Sequence, residues 1–162
     1  MRYYFFIFFI ISCSYEKYES SDQPPVAGEC ANGISTYMIN GEDVQFECND
    51  YDLIGYVSLE QMDAESGNDC WGWTDPVTGK EYALMGLDNG TGIIDISDPF
   101  NPNYLGKIPT ATLSSTWRDI KVYKDHAFIV SEAAGHGMQI FDLSKFRDVS
   151  EDQEYQTDLL YE

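Results

Sequence analysis

The chain has 162 residues, about one domain's worth, and is 43% hydrophobic and 15% aromatic, so it can bury a core. Nine basic residues against 28 acidic ones give a net charge of −19. That balance argues against nucleic acid as a partner, which needs a cationic footprint, and against electrostatic attraction to anionic lipid.

The N-terminal stretch "MRYYFFIFFIISC" carries one cation, Arg2, and then an apolar run, Tyr3–Ile11. The run is too short to cross a bilayer, which takes about 20 residues, but it fits the apolar region of a secretory signal. Ile10-Ile11-Ser12-Cys13 has the pattern of a bacterial lipobox. Residues 1–12 are therefore expected to be a lipoprotein signal peptide. Cys13 is expected to carry the lipid that holds the chain to the membrane. An ordinary secretory signal, with Cys13 incidental, and a membrane helix are the competing readings. Ser14 after the cysteine points to the outer membrane, and Glu16, Glu19 and Asp22 resemble a surface-export tract. Residues 13–29, polar and with paired prolines, read as a disordered tether, and 30–162 as the folded part.

Export implies an oxidising compartment. Cys30 and Cys48 bracket a Gly/Asn/Asp-rich stretch. A disulfide between them closes a loop of about 19 residues and contributes around 3 kcal/mol by chain entropy. Cys70 is then left over.

Alternation and turn residues predict the strands. Leu53–Val57 (LIGYV) reads as a strand ending an earlier, incomplete unit. Asp69–Trp73 (DCWGW) opens the next, followed by Glu81–Leu87, an Asp-Asn-Gly hairpin turn, Thr91–Ser97, the turn "DPFNP" and Asn103–Pro109. The pattern then restarts with Asp119–Tyr123, a turn at 124–126, Ala127–Glu132, the turn "AAGHG" and Met138–Ser144. Asp69–Trp73 falls on Asp119–Tyr123 at an offset of 50, Tyr82–Leu87 on Ala127–Glu132 at 45, and Ile93–Ser97 on Ile140–Ser144 at 47. Leu53–Val57 falls on Tyr104–Ile108 at 51. Cys70 thus matches Ile120 and is expected to be a buried small hydrophobe. A period of 45–50 residues with four strands per unit marks a β-propeller. The expected fold is all-β: a partial propeller of about two and a half four-stranded antiparallel blades.

The stretches "WGWTDPVTGKEYALMGLDNGTGIIDISDPFNPNYLG" and "WRDIKVYKDHAFIVSEAAGHGMQIFDL" resemble the choice-of-anchor B proteins, which carry LVIVD-type repeats. The resemblance covers about Cys30–Leu143 and is specific over Asn68–Leu143. It implies an exported bacterial protein with a propeller-like β domain, for which a lipobox is one of several modes of attachment. It supplies no reaction. It also implies further repeats, so the chain is expected to be an N-terminal fragment, or else a short protein that closes its ring by self-association.

The sequence carries no Gly-x-Ser-x-Gly elbow, no His-Glu-x-x-His and no Cys-x-x-Cys pair. His126 reads as a surface turn residue. His136, between Gly135 and Gly137, reads as a hairpin-tip residue able to reach a ligand. Trp71 and Trp73 lie two apart on one strand face and are possible ligand contacts, with packing between blades as the simpler account of these two and of Trp117. Asp95 and Asp142 are expected to accept hydrogen bonds from the turn that follows each. Asp88, Asn89, Asp95 and Asp98 have the oxygen-rich character of calcium ligands but lack the EF-hand spacing, so Ca²⁺ is only a secondary reading and no cofactor is expected. The expected function is that of a lipid-anchored, surface-exposed or periplasm-facing outer-membrane module that binds a protein or glycan. The alternative is a surface or periplasmic hydrolase whose active site is completed by blades missing from this chain.

Overall fold

The computed structural model describes residues 28–39 and 41–161. The signal peptide, Cys13 and nearly all of the tether lie outside the described residues. The described residues form three β-sheets. The first is a small antiparallel sheet of β1 (Cys30–Ala31), β2 (Ile34–Ile39) and β3 (Glu42–Glu47). The expected disulfide between Cys30 and Cys48 closes it, with the two Cα atoms 5.9 Å apart.

The second sheet comprises β4 (Gly67–Thr74), β5 (Glu81–Leu87), β6 (Gly90–Asp95) and β7 (Asn103–Pro109), antiparallel and in chain order. The third comprises β8 (Arg118–Tyr123), β9 (His126–Ser131), β10 (Met138–Asp142) and, after an excursion, β12 (Leu159–Tyr161). During that excursion β11 (Gln153–Glu154) pairs parallel with β7 and so extends the second sheet. A single 3-10 turn, Leu143–Phe146, follows β10.

Period-2 alternation gives each strand two faces. Tyr82, Leu84 and Ile93 of the second sheet meet Ile120, Ala127, Ile129 and Phe141 of the third in the main core. Trp73 stacks on Tyr82 at 5.2 Å between ring centroids, and Phe146 stacks on Phe141 at 5.1 Å. Leu84, Ile93, Ile120 and Ile129 are fully buried, each contributing roughly 1.5–3 kcal/mol. On its other face the second sheet packs Leu87 and Ile94 under Val57, Leu59, Met62 and Ala64. The outward face of the third sheet carries Val130, Leu159 and Tyr161, all exposed.

The registers correct one of the repeat offsets. Leu84 pairs with Ile93, and Phe128 pairs with Ile140. With Ile93 equivalent to Ile140, Leu84 is equivalent to Phe128, so the preceding strands correspond at an offset of 44 rather than 45. A slip of one residue exchanges the two faces of a strand. At the structural register Trp71, Leu84 and Ile93 face the third sheet, while their equivalents Lys121, Phe128 and Ile140 face away from the second. The two sheets are therefore stacked in the same sense.

Two further expectations are corrected. Residues 53–57 form no strand. Leu53 N–H donates to the Gly28 carbonyl, and Gly55 lies against the Pro99 carbonyl and the Pro102 ring, so the stretch crosses a turn instead of joining a ladder. Cys70 is exposed, not buried. It lies on the edge strand β4, facing opposite to Trp71, where nothing matches the sheet that covers its equivalent Ile120.

Candidate functional site

Four connections converge at one end of the two stacked sheets: the approach to β4, the β5–β6 hairpin, the loop 110–117 and the β9–β10 hairpin. The Asp-Asn pair of the β5–β6 turn binds them together. Asp88 Oδ1 accepts from the backbone N–H groups of Glu65 (3.0 Å) and Ser66 (3.2 Å). The Asp88 carbonyl accepts from Ser115 N–H at 2.8 Å, and the Asn89 carbonyl from Thr110 N–H at 3.0 Å. The Asn89 amide donates to the Asp63 carbonyl at 2.6 Å and accepts from Lys107 Nζ at 3.1 Å. Ser115 Oγ donates to Glu132 at 3.3 Å, and Ser131 Oγ to the Trp117 carbonyl at 3.0 Å.

A loop held at both ends in this way presents Leu113 (72% exposed) and Trp117 (60% exposed) to solvent. Ser114 of the same loop lines a depression of about 380 Å³ together with Glu60, Asp63, Glu65 and Asp88. The face thus combines fixed apolar side chains with an acidic hollow. In the sequence its organising residues Asp88 and Asn89 read as turn formers and weak calcium candidates, not as ties between loops. Trp117 was singled out, but as a packing residue.

The sequence-nominated residues are dispersed. Trp73 is 6% exposed and packs in the core, on Tyr82. Trp71, on the same strand face, is exposed, with the Lys121 ammonium 4.3 Å from its ring centroid. His136 is 1% exposed and not at a reaching tip. Gly135 and Gly137, both with positive φ, fold the hairpin back and turn the imidazole inward. His126 opens β9 and is exposed.

The calcium candidates do not form one site. Asp88 and Asn89 precede β6, whereas Asp95 and Asp98 sit at its far end, a strand length of about 17–20 Å away. Asp95 Oδ1 accepts from Ser97 N–H and Oγ, and Asp98 accepts from Phe100 N–H and the Asn101 amide. Hydrogen bonds to the ionised form hold both carboxyls below their ordinary pKa, against the opposing effect of burial at Asp95. Asp142 repeats the role of Asp95, accepting from Ser144 N–H at 2.9 Å, as expected. Among the described residues no group of three or more His, Cys, Asp or Glu side chains is placed to hold a metal ion.

Behind the loop face is a buried polar cluster that the sequence reading missed. Arg118 is 1% exposed. Its Nε donates to the Leu87 carbonyl at 2.9 Å, and Nη1 lies 3.0 Å from His136 Nε2. Arginine only donates, so Nε2 accepts and the imidazole proton sits on Nδ1, which donates to the Gly137 carbonyl. Burial lowers the Arg118 pKa, and the Asp88 carboxylate opposes that shift. The available signal was phase: in "RDIKVY" the arginine shares the buried phase of Ile120, a position that demands polar partners.

At the opposite end Asp75, fully buried, receives a bidentate pair from Arg147, Nε at 2.9 Å and Nη2 at 2.8 Å. Thr78 Oγ and Val77 N–H also donate to it. No family model matches the chain, and no curated protein or solved structure matches it either.

Proposed function

We propose that the chain is a lipid-anchored, cell-surface module of the β-propeller type whose loop face binds a protein or glycan ligand. The observation that carries this reading is the exposure of Leu113 and Trp117 on a loop pinned to the β5–β6 hairpin at Thr110 and Ser115. A rigid scaffold that fixes exposed aromatic and aliphatic side chains loses little entropy when a partner covers them. The same-sense stacking of a four-stranded sheet on a five-stranded one, with β4 beside β8, supports the propeller reading, as does the resemblance to LVIVD-type repeats. The Cys30–Cys48 disulfide is compatible with an oxidising, exported location. The lipid anchor rests on the lipobox ending in Cys13.

The test is retention on a glycan array and on immobilised envelope proteins, comparing the purified chain with Trp117→Ala and Leu113→Ser. Both variants are expected to keep the wild-type circular dichroism and to lose at least tenfold in retention, since exposed aromatic anchors dominate such contacts. Equal retention by the variants would sink the loop face as the binding site. Turnover of a glycan or peptide bond by the purified chain would sink the binding-module reading in favour of a hydrolase.

A further inference from the structure

Among the described residues, three buried side-chain atoms have no hydrogen-bond partner: Thr91 Oγ1, Arg118 Nη2 and Gln139 Oε1. The topology gathers all three. Leu87, Gly90 and Pro109 form one row across β5, β6 and β7, each paired with the next. From the third sheet, Arg118 holds the Leu87 carbonyl at one end of this row. Gln139 Nε2 holds the Pro109 carbonyl at the other end, at 2.9 Å. Thr91 follows Gly90 in the middle, on the face turned toward the third sheet. Neighbouring strands are about 4.8 Å apart, so the row spans about 10 Å and Thr91 is about 5 Å from either end. The side chains of Arg118 and Gln139 reach the row on either side of it.

We propose that these three atoms hold one internal water molecule that bridges the two sheets. The water accepts from Arg118 Nη2 and from the Thr91 hydroxyl and donates to Gln139 Oε1. Three hydrogen bonds are the usual complement of a buried water, and this set satisfies each atom that the protein leaves unpaired. The donor–acceptor pattern selects water over an ion. An anion suits Arg118 and Thr91 but meets the lone pairs of Gln139 Oε1. The Gln139 amide cannot be reversed to suit it, because Nε2 must donate to the Pro109 carbonyl and to Thr157 Oγ1. A cation is repelled by the guanidinium. The site joins a charge buried without a carboxylate hydrogen bond to the second sheet, at the place where the loop face is anchored.

A high-resolution crystal structure of the chain tests this directly. The expected result is a density peak within about 2.7–3.2 Å of all three atoms. A dry cluster, or an anomalous peak there after a bromide soak, would overturn it. The Thr91→Val variant tests it by sign. If the hydroxyl is bonded to water, its loss is expected to lower Tm by about 2–4 °C. If it is stranded, an apolar isostere leaves Tm unchanged or raises it, which also overturns the proposal.

Discussion

Gly106 has φ +115°, and a Cβ placed there meets the Gln153 carbonyl, so both the backbone conformation and the space call for glycine. Its counterpart in the preceding match, Gly55, also lies against backbone, at Pro99. The shared Gly of "LIGYV" and "YLGKI" therefore marks a close crossing of two backbone segments. Gly106→Ala is expected to cost roughly 2–4 kcal/mol from strain and displacement of β11, measured as a lowered urea midpoint; a loss below 0.5 kcal/mol would show the crossing to be loose. Cys70 shows the limit of matching residues between repeats. Its equivalence to Ile120 is sound, but burial depends on what lies opposite, and β4 has no covering sheet at that point. Burial around the sulfur, with the Asp69 carboxylate adding to it, raises its thiol pKa. Maleimide labelling of the native chain followed by peptide mapping is expected to find Cys70 modified, with a pH midpoint above that of a model cysteine. Labelling only after denaturation would restore the buried reading.

Local elements were legible because their causes are local. The hairpins at Asp88-Asn89 and Lys124-Asp125 follow from residues that tolerate or cap tight turns, and Lys124 takes a positive φ. Strands β6 and β10 end at Asp95 and Asp142 because each carboxylate captures the next turn, so the strands expected to reach Ser97 and Ser144 are shorter. The excursion between β10 and β12 was not legible. Its five acids give no core-forming pattern, yet Tyr155 is 7% exposed, its hydroxyl donates to the Leu105 carbonyl at 2.8 Å, and Phe146 packs edge-on to it. Two aromatic anchors and a two-residue parallel pairing 47 positions apart leave no periodic trace. The loop face escaped for a related reason: Asp88 and Asn89 are ordinary turn residues whose second role, tying distant loops together, appears only in three dimensions.

At the scale of the molecule, arginine ties cross between the sheets at both ends. Arg118 reaches Leu87 at the loop face, and Arg147 reaches Asp75 at the other end. The hydrogen bonds from Arg147 hold the Asp75 carboxyl well below the usual carboxylate range, with burial opposing them. A depressed folded-state pKa contributes stability above the unfolded value near 4, and that contribution is lost as pH falls toward the folded value. The difference in urea midpoint between wild type and Asp75→Asn is therefore expected to be largest at pH 7 and to shrink progressively from pH 5 to pH 3. A difference independent of pH would mean that the ion pair does not set the linkage. Comparison with the variant also removes the opposite trend, in which protonation relieves the self-repulsion of a chain at −19.

Strand β11 gives the fold a history as well as a shape. The second sheet is not complete when Pro109 leaves the ribosome, because its outer strand is supplied by Gln153 and Glu154. At roughly 5–20 residues per second, those residues follow about 2–9 s later. During that interval β7 is a bare edge on a nascent chain, open to any other extended segment. The order of synthesis thus imposes a waiting period, and whatever shields that edge during it governs how much of the chain reaches its native pairing.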